Sequence, residues 1–154
     1  MANQGWRRED GVERLRHAGL KATEPRLRVL QVLADGGHHA ADDVVAALQQ
    51  TGPSLQRGSV YNVLATLLAH GLVMMADAGP GRALYELNRG WHHHFVCLSC
   101  GGVWDVPCQV GSKPCLEPPD LDAEVDEAQV IFRGRCADCR AADRPRRLPQ
   151  GSLE

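Results

Sequence analysis

Two Cys-x-x-Cys pairs constrain this chain more than any other feature: Cys97-Leu-Ser-Cys100 and Cys136-Ala-Asp-Cys139, with 35 residues, 101–135, between them. Four thiols in that arrangement suit a tetrahedral structural zinc, which takes soft ligands from two short turns. Disulfides or buried thiols are the other readings, although adjacent knuckle cysteines make poor staples. The first pair belongs to a denser stretch, His92-His-His-Phe-Val-Cys-Leu-Ser-Cys100, followed by Asp105. Three imidazoles, two thiols and a carboxylate thus fall within the fourteen residues 92–105. Borderline-soft and hard donors side by side can serve two metal sites of different chemistry.

A chain of 154 residues holds one domain or two small ones. With 44% hydrophobic and 23% charged residues it reads as soluble and globular. No apolar run is long enough to span a bilayer, and the stretch from Met1 to Asp10 is polar. The expectation is a cytoplasmic protein whose six cysteines stay reduced and favour metal over disulfide. Of 17 basic and 19 acidic groups, residues 1–91 carry 10 and 9, which leaves 7 and 10 for residues 92–154. The halves are therefore +1 and −3, so nucleic-acid binding would need local placement of Arg and Lys rather than a global field.

The first half reads as helices. Val12, Leu15 and Ala18 are helically spaced and stop at Gly19. Thr23 starts a second helix, with Pro25 in its first turn and a stripe of Leu27, Leu30 and Leu33. A third runs from about Ala40 to Gln50, with Val44, Val45 and Leu48 inward. A fourth runs from about Arg57 to His70, buried through Val60, Val63, Leu64, Leu67 and Leu68. Its early polar face offers Arg57, Ser59, Tyr61 and Asn62. Leu72–Met75 and Ala83–Leu87 then read as strands of a hairpin turning at Gly79-Pro-Gly81. Helices followed by such a hairpin make a winged helix-turn-helix, whose last helix enters the major groove. Arg57, Ser59, Tyr61 and Asn62 would meet bases, and Lys21, Arg26 and Arg82 would meet phosphates. A plain core helix with a solvated face is the alternative for residues 57–70.

Residues 88–91 read as a hinge between a DNA-binding domain, 1–88, and a second domain, 92–142. The second is a small α/β unit with strands at Phe95-Val96, Val103–Val106 and Val125–Arg133. Residues 108–119 form a proline-rich loop, and residues 143–154 a flexible tail whose last four resemble a cloning remnant. The fold class is α+β: a winged helix plus a small α/β dimerisation domain with structural zinc. A unit of about fifty residues is marginal alone, which zinc or pairing with a second copy would remedy.

In order, the chain carries Leu20-x-x-Thr23-x-x-Arg26, His38 before Ala-Asp-Asp (41–43), Ser59-Val-Tyr-Asn62 and Gly71-Leu-Val73. His-His-His-x-x-Cys-x-x-Cys-Gly (92–101) and a closing Cys-x-x-Cys follow. From about residue 10 to 140 this resembles the ferric uptake regulator (Fur) family of metal-dependent bacterial repressors. The resemblance implies a homodimer that binds an inverted-repeat operator in double-stranded DNA. It also implies structural Zn(II) on Cys97, Cys100, Cys136 and Cys139. A regulatory metal, Fe(II) or Mn(II), would sit at the hinge on His38, Glu86, His92, His94 and Asp105. His93 alternates to the opposite side of its strand and stays outside that set.

Asp105, where iron-uptake members usually carry glutamate, is similar to the peroxide-sensing branch. The segment from Asp105-Val-Pro-Cys108 to Lys113-Pro-Cys115 resembles actinobacterial regulators of catalase-peroxidase genes. Glu86 stands where the best-known peroxide sensors have aspartate, so an iron-supply regulator is the alternative; zinc or nickel sensing ranks lower. Cys108 and Cys115 are either a reversible thiol pair or two ordinary thiols. Outside the resemblance, the metal-ligand cluster could belong to a hydrolytic enzyme, or the chain could be a zinc-stabilised interaction module. The expectation is a regulator and not an enzyme.

Overall fold

The structure, a computed structural model, describes residues 5–116, 120–126 and 128–142. It divides into two compact units between Trp91 and His92.

The N-terminal unit opens with α1 (Arg8–His17), where the Asp10 carboxylate accepts the Arg7 amide at 2.8 Å and so satisfies a helix-start donor. α2 (Glu24–Ala34) follows. Thr23 occupies the N-cap as expected, but its hydroxyl makes no capping hydrogen bond. β1 (His39–Ala40) leads into α3 (Ala41–Gln50) and α4 (Arg57–Ala69). His70 caps α4, and Gly71, at φ +67°, makes the left-handed exit that a side chain would disfavour. β2 (Val73–Asp77) and β3 (Ala83–Leu87) pair antiparallel, and β1 adds to β3, giving the order β1-β3-β2.

The apolar stripes read from the sequence converge here. Leu15, Leu30, Leu33, Val44, Val60 and Leu67 are fully buried in one cluster with Leu27, Leu48 and Leu64. The hairpin adds Leu72, Val73 and Leu87. Residues 88 and 89 belong with this unit rather than with a free hinge. The Asn88 side chain donates to the Gly71 carbonyl at 2.7 Å, and Arg89 donates to the Ala34 carbonyl at 2.8 Å. Gly90, at φ +122°, and Trp91 are left as the link.

The C-terminal unit is a three-stranded sheet ordered β5-β4-β6, followed by a short helix. β4 (His92–Cys97) runs antiparallel to β5 (Val103–Pro107) and parallel to β6 (Ile131–Gly134). β4 runs through all three histidines, in keeping with their expected alternation on a strand, and so extends beyond Phe95-Val96. One expectation needs correction. The strand expected over 125–133 begins only at Ile131, where pairing with His94 starts. The short helix α5 (Ala137–Ala142) grows out of the second knuckle and was not expected. The tail over 143–154 lies outside the described residues. Among the described residues, no helix is long and apolar enough to cross a membrane.

Candidate metal centres and nucleic-acid interface

The parallel β4–β6 register explains how the two knuckles meet. Cys97, last in β4, pairs with Gly134, last in β6, so the turn after each strand carries its cysteines to the same end of the sheet. The ligand atoms of Cys97, Cys100, Cys136 and Cys139 all lie within 4.8 Å of one another. Cys100 Sγ and Cys136 Sγ are 3.9 Å apart. Four sulfurs about 2.3 Å from a central zinc stand about 3.8 Å apart, so the spacing fits that ion and excludes disulfides.

Backbone amides prepare the sulfurs for it. The Cys136 amide donates to Cys97 Sγ at 3.3 Å, and the Cys139 amide donates to Cys136 Sγ at 3.5 Å. The Cys100 amide, then that of Cys136, outweigh burial and bring the Cys97 thiol down to about 6. The Cys136 sulfur, with burial second, pushes Cys139 up to about 12.

The mixed N/O donors sit in each unit as close pairs. In the N-terminal unit, His38 precedes β1 and Glu86 lies on β3; His38 Nε2 is 3.6 Å from Glu86 Oε2, with side chains 10% and 8% exposed. In the C-terminal unit, His94 pairs with Asp105 across the β4–β5 ladder, and His92 follows two residues along on the same face. His92 Nε2 is 3.5 Å from Asp105 Oδ1, and the His92 and His94 rings stand 4.8 Å apart edge to face. Neighbouring ligand atoms about 2.1 Å from one ion lie about 3.0 to 3.5 Å apart; the His92–Asp105 pair falls at the edge of that range and the His38–Glu86 pair 0.1 Å beyond it. Their imidazole and carboxylate atoms suit Fe(II), Mn(II) or Zn(II).

The expected DNA-facing residues are exposed at the start of α4: Arg57, Ser59, Tyr61 and Asn62. One feature escaped the sequence reading. Asp42 of α3 accepts the Arg57 guanidinium at 2.9 Å and the Tyr61 hydroxyl at 3.1 Å, and Arg57 donates to Tyr61 at 3.2 Å. This exposed triad presets two of the four side chains. Tyr61 and then Asp42 hold the Arg57 guanidinium above its usual range. Arg82 is exposed at the hairpin turn and Lys21 before α2. Arg26, expected at a phosphate, is half-buried and donates to the Lys21 carbonyl at 2.8 Å. The remaining histidines take local roles: His17, His39 and His70 each bond a nearby backbone carbonyl.

Four helices backed by a hairpin wing, in a chain that also carries a thiol-rich sheet unit, define a winged-helix regulator. Residues 17–110 match the ferric uptake regulator family. The transcriptional regulator FurA of Mycobacterium tuberculosis is 40% identical over 142 residues, 91% of this chain and 97% of FurA. The ferric uptake regulator of Pseudomonas aeruginosa, solved with manganese, superposes with a TM-score of 0.62 at 30% identity, covering 82% of this chain and 98% of that one. The peroxide stress regulator of Campylobacter jejuni superposes with a TM-score of 0.60 at 25% identity, over 83% and 98%. The chain belongs to the ferric uptake regulator family and is a metal-dependent transcriptional regulator. Its relatives are regulators, not enzymes.

Proposed function

We propose that this chain is a homodimeric repressor that binds an inverted-repeat DNA operator in its metal-loaded form and releases it on contact with peroxide. The repeated pairing of imidazole with carboxylate, His38 with Glu86 and His92 with Asp105, carries this reading. Those pairs, with His94, give the residues that would hold the regulatory ion: His38, Glu86, His92, His94 and Asp105. Fe(II) held there would supply the electrons that let hydrogen peroxide split, one oxygen leaving as water and the other ending on a ligating imidazole. His38 and His92 are the candidates for that oxidation; a ring that has gained oxygen is a poorer ligand, and the operator is released.

Zinc on Cys97, Cys100, Cys136 and Cys139 ties the ends of the C-terminal unit together in this reading. Dimerisation is supported by what that unit exposes. Of the eight large exposed hydrophobics among the described residues, six lie there: Leu98, Trp104, Val110, Leu116, Leu121 and Phe132. The start of α4 meets base edges, with Lys21 and Arg82 on phosphates. The genes served are those of peroxide defence, of the catalase type.

A second reading, repression that reports iron supply, is favoured by a 41% identical ferric uptake regulation protein of Mycolicibacterium fortuitum, matched over 77% of this chain. An operator gel shift with Fe(II)- and Mn(II)-loaded protein, before and after a low dose of peroxide, separates the two. Loss of DNA by the iron form alone, with a one-oxygen mass gain on a peptide holding His38 or His92, is the result expected for peroxide sensing. If both forms stay bound and only chelation frees the DNA, the protein reports metal supply.

A further inference from the structure

We propose that His93, Cys108 and Cys115 form a third metal centre, separate in its ligands from the two above, that takes one Zn(II) ion. Their donor atoms all lie within 4.8 Å of one another. They come from three segments: His93 from β4, Cys108 just past the end of β5, and Cys115 from the loop beyond. The sheet register makes the meeting specific. His93 pairs with Val106, so it projects on the face opposite His92 and His94, and Cys108 follows Val106 two residues along on that face.

The distances suit a metal better than a disulfide. Cys115 Sγ lies 3.4 Å from His93 Nε2. A thiolate and an imidazole nitrogen sharing a tetrahedral zinc stand about 3.6 Å apart, from bonds of about 2.3 and 2.1 Å. Both cysteines are free thiols. A histidine only 6% exposed stands beside the pair and supplies a nitrogen donor of the kind that zinc takes with thiolates. Gly111 donates its amide to Cys108 Sγ at 3.4 Å. Burial works to raise the Cys108 thiol, but the amides of Gly111, Val110 and Ser112, with Cys115, outweigh it and leave it below the ordinary value.

Charge balances as well. Two thiols lose their protons to solvent as Zn(II) enters, and two thiolates with one neutral imidazole give a site of zero net charge, suited to a half-buried place. Cys115 gives up its donation to the Ala128 carbonyl in the exchange. A cavity of about 350 Å³, lined by the three ligands with Val106, Val130 and Phe132, leaves room for a fourth ligand from solvent. The ion would pin the 108–115 loop to the sheet.

The test uses the full-length protein, purified with zinc and compared before and after chelation. Cys108 and Cys115 should alkylate at least tenfold more slowly in the zinc-loaded wild type, as read by peptide mass spectrometry. His93→Gln should remove most of that protection. The Cys108→Ser, Cys115→Ser variant should hold one zinc fewer per chain than the wild type by elemental analysis. Equal alkylation rates with and without zinc overturn the proposal. So does a Cys108–Cys115 disulfide in the zinc-purified protein, which would make the pair a redox couple instead.

Discussion

Taking zinc from the four-cysteine cluster should unfold the C-terminal unit and leave the N-terminal one folded. The units differ in what they bury. Among the described residues, 19 of the 21 buried hydrophobic side chains lie at or before Leu87; Val96 and Cys97 are the other two. Full burial of a valine contributes about 1.5–3 kcal/mol, far short of what ordering a three-stranded sheet costs at about 1–2 kcal/mol per residue. A four-ligand structural zinc contributes about 10–16 kcal/mol near neutral pH, as much as the whole stability of an ordinary domain, about 5–15 kcal/mol. Chelation, or Cys136→Ser, removes a contribution that the sheet cannot replace. Hydrogen exchange resolves the outcome by element. Amides of β4 and β6, including Cys97 and Leu98, which donate to the Gly102 and Gly134 carbonyls, should lose protection. Amides of α2 and α4 should keep it, and urea melting should show one remaining transition. Unchanged protection in β4 after metal loss would mean that something other than zinc holds the unit.

Leu30→Ala, at a fully buried position in the helical core, should cost about 2–5 kcal/mol in urea denaturation of the N-terminal unit; a loss under 1 kcal/mol would mean the core can collapse around the gap. Tyr61→Ala should weaken operator binding in a gel shift with zinc content unchanged, and an unaltered affinity would remove α4 from the DNA interface.

The helical half was legible because its apolar residues repeat at helix spacing and all face one core: Leu27, Leu30, Leu33, Val44, Leu48 and Leu64 are buried. The sheet half was less so. A two-residue strand such as His39–Ala40 is too short for any periodicity, and exists through its pairing with Tyr85 and Leu84. The polar run His92–His94 carries no apolar alternation to mark the start of β4, and Val125 suggested strand well before β6 begins at Ile131. Ligand types and spacings were visible for the four cysteines. The partnership of His93 with Cys108 and Cys115 was not, since it depends on the register of β4 against β5. The Asp42–Arg57–Tyr61 triad depends likewise on how α3 and α4 pack, which no local pattern encodes.

In the proposed function a regulatory ion and operator DNA stabilise the same state of the protein. Coupling between two ligands is reciprocal, so each must tighten the other by the same factor. The direct measurement is Mn(II) titration of the zinc-loaded protein, with and without a duplex from the upstream region of its own gene. Mn(II) should bind more tightly when the duplex is present, by the factor through which Mn(II) tightens the duplex, and Glu86→Ala should abolish both effects. Mn(II) affinity indifferent to the duplex would contradict the account.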